Sequence, residues 1–393
     1  MADKINTKIK ILFLTAWYPH RYDAMTGLFV RKHAEAATLF CDVCVLYLHS
    51  DEKIKKFEII EQNFEKVREI YVYFPYIHNK FLAKISKAIN YTRAFFKGYK
   101  IVKKTFGKPD ITQVNVLTRS GVLAYWLKKT QKIPYVIIEH WTRYLPQNFS
   151  YKGVFRKKIT EIVARNAKKI MPVSEDLAQA MQKQGIKGNY EVIFNVVDDF
   201  FFEKTRNFER NNNKKRILHV SCFLDMQKNI TGLLRATKEL SLQRADFELV
   251  LVGTGIDFDK IYSYAKSLNL PKDMLIFAGE QTPQEVAEWF AKSDFSVMFS
   301  NYETACVVVM ESLASGVPVI GTPTGIVPDF INETNGLIVD FNDIVALSEK
   351  MNFMLDNLEK YDFTKIKEEA QKYSYENVGE KLFEIYKSTK KLC

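Results

Sequence analysis

One stretch almost without apolar residues, EKTRNFERNNNKKR at 203–216, divides this chain, and on both sides of it short apolar runs alternate with amphipathic segments. Ahead of it, strands are predicted near Ile9–Leu14, Val43–Leu48, Glu69–Phe74, Ile111–Val116, Tyr135–Ile138, Ile170–Pro172 and Glu191–Phe194. Helical patterns lie between them near Leu28–Thr38, 80–104, 119–130, 151–168 and 174–184. After it, strands are predicted near Ile217–Val220, Phe247–Val252, Leu275–Ala278, Phe295–Phe299, Val317–Gly321 and Leu337–Val339. Helices are expected from Asn229, near 258–268, 283–291 and 343–356, and over 363–388. Strand–helix alternation implies a mostly parallel sheet with helices on both faces. A chain of 393 residues is also too long for one ordinary core. The expectation is α/β: two doubly wound, Rossmann-like domains, at 1–204 and 205–372, followed by a C-terminal helix at 373–393. Their strand C-termini would face one another across a cleft, where open α/β sheets bind ligands.

Composition narrows the classes. A 47% hydrophobic and 26% charged chain is that of a soluble globular protein. The N-terminal apolar run is too short and too soon broken for a spanning helix, and it lacks a signal peptide's cleavage region. A cytoplasmic protein is expected. Cys41 and Cys44 form a lone C-x-x-C without a second pair to complete a zinc site, so structural cysteines are expected. Charge is divided unevenly: 34 Lys and Arg against 18 Asp and Glu in residues 1–200, then 23 against 28. Between Glu69 and Asp110 there are nine basic residues and no acidic one, interleaved with Phe81, Leu82, Ile85, Ile89, Phe95, Phe96, Tyr99 and others. Residues 80–108 therefore read either as a core-packed helix with a solvated basic side or as a helix on an anionic membrane surface. The latter would make the protein peripheral on the inner membrane face. No nucleic-acid-binding motif accompanies the charge, and no nucleic acid is expected as a partner.

The densest chemistry lies at 299–325, FSNYETACVVVMESLASGVPVIGTPTG. Glu303 stands in a loop at the mouth of a short helix, and Glu311 lies two turns on, roughly 12 Å if every residue is helical. A sugar-nucleotide across that helix N-terminus would meet hydroxyl acceptors in the carboxylates and phosphate donors in the N–H groups of Thr304, Ala305, Cys306 and Val307. With Leu313 to Val319 and Thr324-Gly325 following, the stretch resembles the Glu-x7-Glu signature of retaining glycosyltransferases of family 4, in the glycosyl transferase group 1 superfamily. The resemblance implies the GT-B architecture, with the last helix crossing back to the first domain. It also implies Glu303 beside the donor sugar and Glu311 beside the ribose.

Other segments carry the resemblance further. HVSCFLDMQKNITGLLRA (219–236) looks like the segment where an Arg and a Lys, five apart, hold the diphosphate. Lys228 matches the lysine, but Phe223 stands where the arginine belongs, so another cation substitutes, phosphate binding weakens, or the loop register differs. Gly253 and Gly255 look like the loop beside base and ribose, with Gly279-Glu280 as a further candidate. Gly27 matches a glycine loop near phosphates and acceptor. Arg31 is a candidate contact to an acidic acceptor, or an i,i+4 partner of Glu35. His140, at a strand end, matches a histidine close to the donor sugar, and Glu139 and Arg143 are candidates for shaping the acceptor pocket. Ser174 and Asn195-Val196-Val197-Asp198 resemble two further segments, with Val196 replacing a glycine. Cys306 occupies a position where many relatives have glycine.

The function implied is transfer of a sugar from a nucleotide-sugar donor, UDP favoured and GDP the second choice, to a saccharide or lipid-linked saccharide. The stereochemical outcome is retention, by double displacement or front-face attack. No metal and no cofactor besides the nucleotide-sugar co-substrate is expected; the one Asp-x-Asp, Asp257-Phe258-Asp259, reads as helix capping. The rival readings are a sugar-nucleotide epimerase of related fold and a non-catalytic nucleotide-sugar or membrane-binding protein.

Overall fold

A computed structural model describes residues 8–76, 83–117, 119–148, 150–207 and 214–391. They form two compact units. The first comprises residues 1–173, 178–196 and 375–393, and the second comprises 174–177 and 197–374. The chain passes from one to the other between Val196 and Val197, ahead of the polar run at 203–216, of which 208–213 lie outside the described residues. Packing explains the early crossing: the Val197 N–H donates to the Tyr373 carbonyl at 2.9 Å, and buried Phe201 meets Phe290 edge-on.

The first unit holds a seven-stranded sheet built from β1 (Lys10–Thr15), β2 (Asp42–Ser50), β3 (Glu58–Phe64), β4 (Val67–Phe74), β5 (Ile111–Asn115), β6 (Tyr135–Glu139) and β7 (Ile170–Pro172). Their order is β3-β4-β2-β1-β5-β6-β7, parallel except for β3. Ile11 to Leu14 of β1 are buried, as a central strand covered on both faces requires. Absent from the expected series, β3 pairs antiparallel with β4 from Glu58↔Tyr73 to Phe64↔Val67. It is exposed along its length and carries Glu58 and Glu61, the charge that protects an open sheet edge. Glu191–Phe194 is not a regular strand. It follows β7 through two backbone bonds (Glu191 N–H to Ile170 O and Ile193 N–H to Pro172 O, both 3.0 Å), and β7 is only three residues long.

The basic segment resolves into a core-packed helix, Ala83–Thr105, that buries Phe95, Tyr99 and Val102; residues 80–82 lie outside the described ones. Gly98 brings it close to the sheet, since a Cβ there would stand 2.5 Å from Leu46 Cδ1. Ile85, Ile89 and Phe96 stay exposed among the lysines. The expected helix over 363–388 is broken: Phe363–Glu369 and a 3-10 turn at Ala370–Tyr373 belong to the second unit, and Tyr375–Lys391 to the first. Ser374 is extended (φ −66°, ψ 161°) and makes the break. Helix Tyr375–Lys391 lies on helix Leu28–Thr38, with Tyr375 Oη donating to Glu35 at 3.0 Å and Tyr386 Oη to Gln113.

The second unit holds six parallel strands in the order β10-β9-β8-β11-β12-β13. These are β8 (Lys215–Val220), β9 (Phe247–Val252), β10 (Leu275–Gly279), β11 (Phe295–Met298), β12 (Val319–Gly321) and β13 (Gly336–Ile338). All six expected strands of this half are present. β8 and β11 are neighbours although β9 and β10 intervene in the chain, so the strand order reverses between them. Loops at the carboxyl ends of such a pair are where a doubly wound sheet binds its ligand.

Candidate active site

Both of those loops converge on one ion pair. After β11 the chain turns through Glu303 to Cys306, the N-cap of helix Val307–Ala314. After β8 it forms a single turn, Asp225–Lys228, ended by Asn229 in the left-handed region (φ 49°). Lys228 Nζ reaches Glu303 Oε1 at 2.5 Å, with both side chains largely buried. Burial disfavours the ammonium, but the adjacent Glu303 carboxylate outweighs it and holds Lys228 above its ordinary pKa. The carboxylate is fixed from other sides as well: Ser300 Oγ donates at 2.9 Å and Gln227 Nε2 at 3.3 Å. The Glu303 N–H donates to Thr324 Oγ1 at 2.8 Å, and Ser174 Oγ donates to the Thr304 carbonyl.

Cys306 has φ 60° and ψ 59°, a conformation natural to glycine and costly for other residues. That strain lies at the helix mouth, where the first N–H groups of Val307–Ala314 have no acceptor within the helix. Burial, with Glu303 nearby, pushes the Cys306 thiol well above its ordinary pKa, so it is no thiolate nucleophile. Glu311 lies half-buried on the same helix, two turns from Glu303.

Phe223 turns inward, fully buried, and stacks on Phe258 with centroids 5.9 Å apart. Its backbone is tied to the glycine turn after β9: Phe223 N–H donates to Thr254 O at 2.8 Å and Asp257 N–H to Phe223 O at 3.0 Å. Gly253 and Gly255 are glycines because that loop leaves no room; a Cβ on Gly255 would meet Phe223 backbone atoms at 2.6 Å. Asp257 makes no side-chain cap to its own helix. It accepts the Asp225 N–H at 2.8 Å instead and braces the turn that carries Lys228.

In the first unit, Gly27 (φ 70°) packs on the Trp17 backbone, 2.4 Å from where a Cβ would stand. Arg31 turns away from Glu35 to partners on the sheet. Its Nε donates to Glu69 at 3.1 Å and its Nη2 to Tyr71 Oη at 3.1 Å, and its guanidinium covers Phe64. Glu69 also accepts from Tyr18 and Gln62, so Arg31 is committed to a buried network. Glu139 does not line a pocket; its carboxylate accepts three backbone N–H groups, from Leu117, His140 and Trp141 at 2.8–2.9 Å, and binds the loops after β5 and β6 together. His140 is buried against Phe29, its Nε2 without a partner. Arg143 is 8% exposed and stacks on Trp141. Cys41 and Cys44 are both buried, and burial pushes their thiols up to about 12.

Buried histidines give the protein an acid sensitivity. Burial pushes His33 and His219 down to about 4, and His140 well below its ordinary value with His33 adding to the effect. At His33 and His219 the unfolded chain takes up its protons below about pH 6.5, whereas the folded chain does not until about 4. Stability therefore falls as pH drops through that window, by about 1.4 kcal/mol per pH unit for each such histidine. Melting temperatures recorded from pH 7.5 to 5 are expected to fall, with a shallower slope in His219→Asn. A slope unchanged by that substitution would refute the neutral, buried His219.

Known proteins share both units. The Glycosyltransferase Family 4 profile matches residues 34–199, and that of Glycosyl transferases group 1 matches residues 201–373. The chain belongs to the group 1 glycosyltransferases. N-acetyl-alpha-D-glucosaminyl L-malate synthase of Bacillus anthracis is 26% identical over 214 residues, 52% of this chain and 52% of that protein, so the match spans about half the relative's length. Sucrose-phosphate synthase from Thermosynechococcus elongatus superposes with a TM-score of 0.75 at 17% identity, covering 98% of this chain and all of that one. Anabaena HepE in complex with UDP-glucose gives 0.66 at 15% identity over 97% of this chain and 100% of its own. These likenesses establish the GT-B fold.

Within this glycosyltransferase, Lys228 and Glu303 come together directly, and the Gly253–Gly255 turn stands behind them through Phe223. Of the side chains that position the pair, Ser300 and Gln227 went unread in the sequence. Ser300 lies in a loop and Gln227 in the single turn Asp225–Lys228, and no spacing rule marks either. Thr324 was marked as part of the Thr324-Gly325 step of the signature, but without its role as acceptor for the Glu303 N–H.

Proposed function

We propose that the protein moves a sugar from a UDP-linked donor to a saccharide or lipid-linked acceptor with retention of anomeric configuration, without a metal. The observation that carries this is the buried Lys228–Glu303 pair at the mouth of helix Val307–Ala314. As the donor bond breaks, negative charge develops on the departing diphosphate and positive charge on the anomeric carbon. Lys228 has three N–H donors, enough to keep Glu303 and still reach a phosphate oxygen. The N–H groups of the helix mouth supply the remaining anion stabilisation. Glu303 faces the developing positive charge, and Glu311 takes the ribose hydroxyls. His140, neutral at working pH, offers its unpartnered Nε2 to a sugar hydroxyl. Lys228, the largely buried cation beside Glu303, is the positive charge assigned to the diphosphate.

The UDP preference is supported by the HepE neighbour, whose structure holds UDP-glucose. The test is turnover across a panel of UDP- and GDP-sugars with EDTA present, with product configuration read by NMR. UDP-sugar turnover with an axial product bond from an axial donor bond is expected. Glu311→Ala is expected to raise the donor KM by about 10-fold or more, the loss of hydrogen bonds from a charged group. Turnover of GDP-sugars alone, an inverted product, or complete loss of activity in EDTA would each overturn the corresponding part.

A further inference from the structure

The first unit contains a cavity of about 470 Å³ at the carboxyl ends of β1, β2, β4 and β6, and its lining has a one-sided charge. Arg119, Arg143 and Arg156 line it together with Trp17, Tyr91 and Trp141, and no aspartate or glutamate is among the described lining residues. The nearby carboxylates are engaged elsewhere: Glu139 by three backbone N–H groups, Glu161 by Arg165, Asp51 by Arg21. Arg143 is more than nine-tenths buried, and its Nε has no hydrogen-bond partner. Burying a guanidinium with an unmet donor, close to a second arginine, is costly unless an anion completes it. Arginine's planar fork matches the oxygens of phosphate, and three positive charges suit a multiply charged anion better than a lone carboxylate.

One wall of the cavity is helix Val154–Asn166, which contributes Arg156, Ile159, Thr160 and Val163. The same helix leaves Val154 82% and Phe155 86% exposed, with Ile159 and Ile162 partly so, beside Lys157 and Lys158. An apolar strip flanked by cations at the rim of an arginine-lined cavity has the chemistry of a site for an amphiphile with an anionic head.

We propose that this cavity seats the phosphate or diphosphate ester of the sugar acceptor, gripped by Arg119, Arg143 and Arg156. The assignment rests on the transferase reading above and names its acceptor class. The phosphate belongs either to a lipid carrier, whose chain would lie along Val154 and Phe155, or to a soluble phosphorylated saccharide.

Equilibrium binding of pyrophosphate and of farnesyl diphosphate to the full chain tests this, with saturating UDP present to block the donor site. UDP binding is measured separately. Wild type is expected to bind both probes. Arg119→Ala/Arg156→Ala, at two exposed positions, is expected to weaken them by about tenfold or more while leaving UDP binding unchanged. Arg143→Lys, which keeps charge but loses the fork, is expected to weaken them as well. Tighter binding of farnesyl diphosphate than pyrophosphate, lost in Phe155→Ser, assigns the lipid source; equal binding assigns the soluble one. UDP binding without diphosphate binding, or diphosphate binding indifferent to the arginines, overturns the cavity assignment. Arginine-dependent diphosphate binding with no UDP binding overturns the UDP-donor reading and leaves the cavity's ligand standing.

Discussion

Lys228→Ala is expected to reduce kcat/KM for transfer by about 10³-fold and to cost the protein about 3–5 kcal/mol of stability. The two effects have different origins. Stability falls because Glu303 is left as an uncompensated charge in a largely buried loop, with Ser300 and Gln227 its remaining side-chain donors among the described residues. Activity falls because the proposed counter-charge to the departing diphosphate is gone. Phe223 cannot compensate, since it is fully buried against Phe258. The double variant Lys228→Met/Glu303→Gln separates the two contributions. Removing both charges is expected to recover most of the lost stability while leaving transfer at or below the level of the single variant. Denaturant midpoints and initial rates on the same preparations check both. If Lys228→Ala retained transfer within tenfold of wild type, the lysine would have no part in stabilising the diphosphate.

The two α/β series were legible because parallel strands covered on both faces read as continuous apolar runs, as in Ile11–Leu14 and Leu249–Val252. β3 was not, because an exposed edge strand that interrupts its isoleucines with Glu58, Glu61, Gln62 and Asn63 carries no such run and is held by its full register with β4. Arg31 illustrates a second limit. Helical spacing offers Glu35 four residues on, but the side chain takes Glu69, 38 positions away, which the sheet brings within 3.1 Å. The departure at Phe223 was visible as a residue identity, while its consequence needed the structure: the side chain turns from the loop after β8 into the core. How Glu139 acts was hidden for a similar reason, since nothing in sequence distinguishes a carboxylate facing a pocket from one collecting three loop N–H groups. The Glu303–Lys228 pair was the opposite case. Each residue stood on its own motif, and both motifs follow strands that the sheet order places side by side.

Gly253→Ala is expected to be the most damaging single-methyl change in the second unit, costing about 4 kcal/mol or more. The added Cβ would stand 1.9 Å from the Ser221 carbonyl oxygen, a backbone atom that cannot swing aside as a flexible side chain would. The residue also has φ 127°, where a side chain is strained even in open space. Relief would require moving Ser221, whose hydroxyl holds His219, and the Phe223 backbone that follows it. That displacement carries the Lys228 turn with it, so any folded fraction is expected to lose donor affinity as well. Gly279→Ala is the internal control: at φ 73° it bears the same kind of conformational cost, but nothing lies within 4 Å of its added Cβ. Its penalty is expected to be about 1 kcal/mol, from backbone strain alone. Comparing the two denaturation midpoints isolates the steric part. Equal losses would mean that the loop after β9 yields to the methyl group, and that the close approach of Gly253 to Ser221 is not what fixes the Lys228 turn.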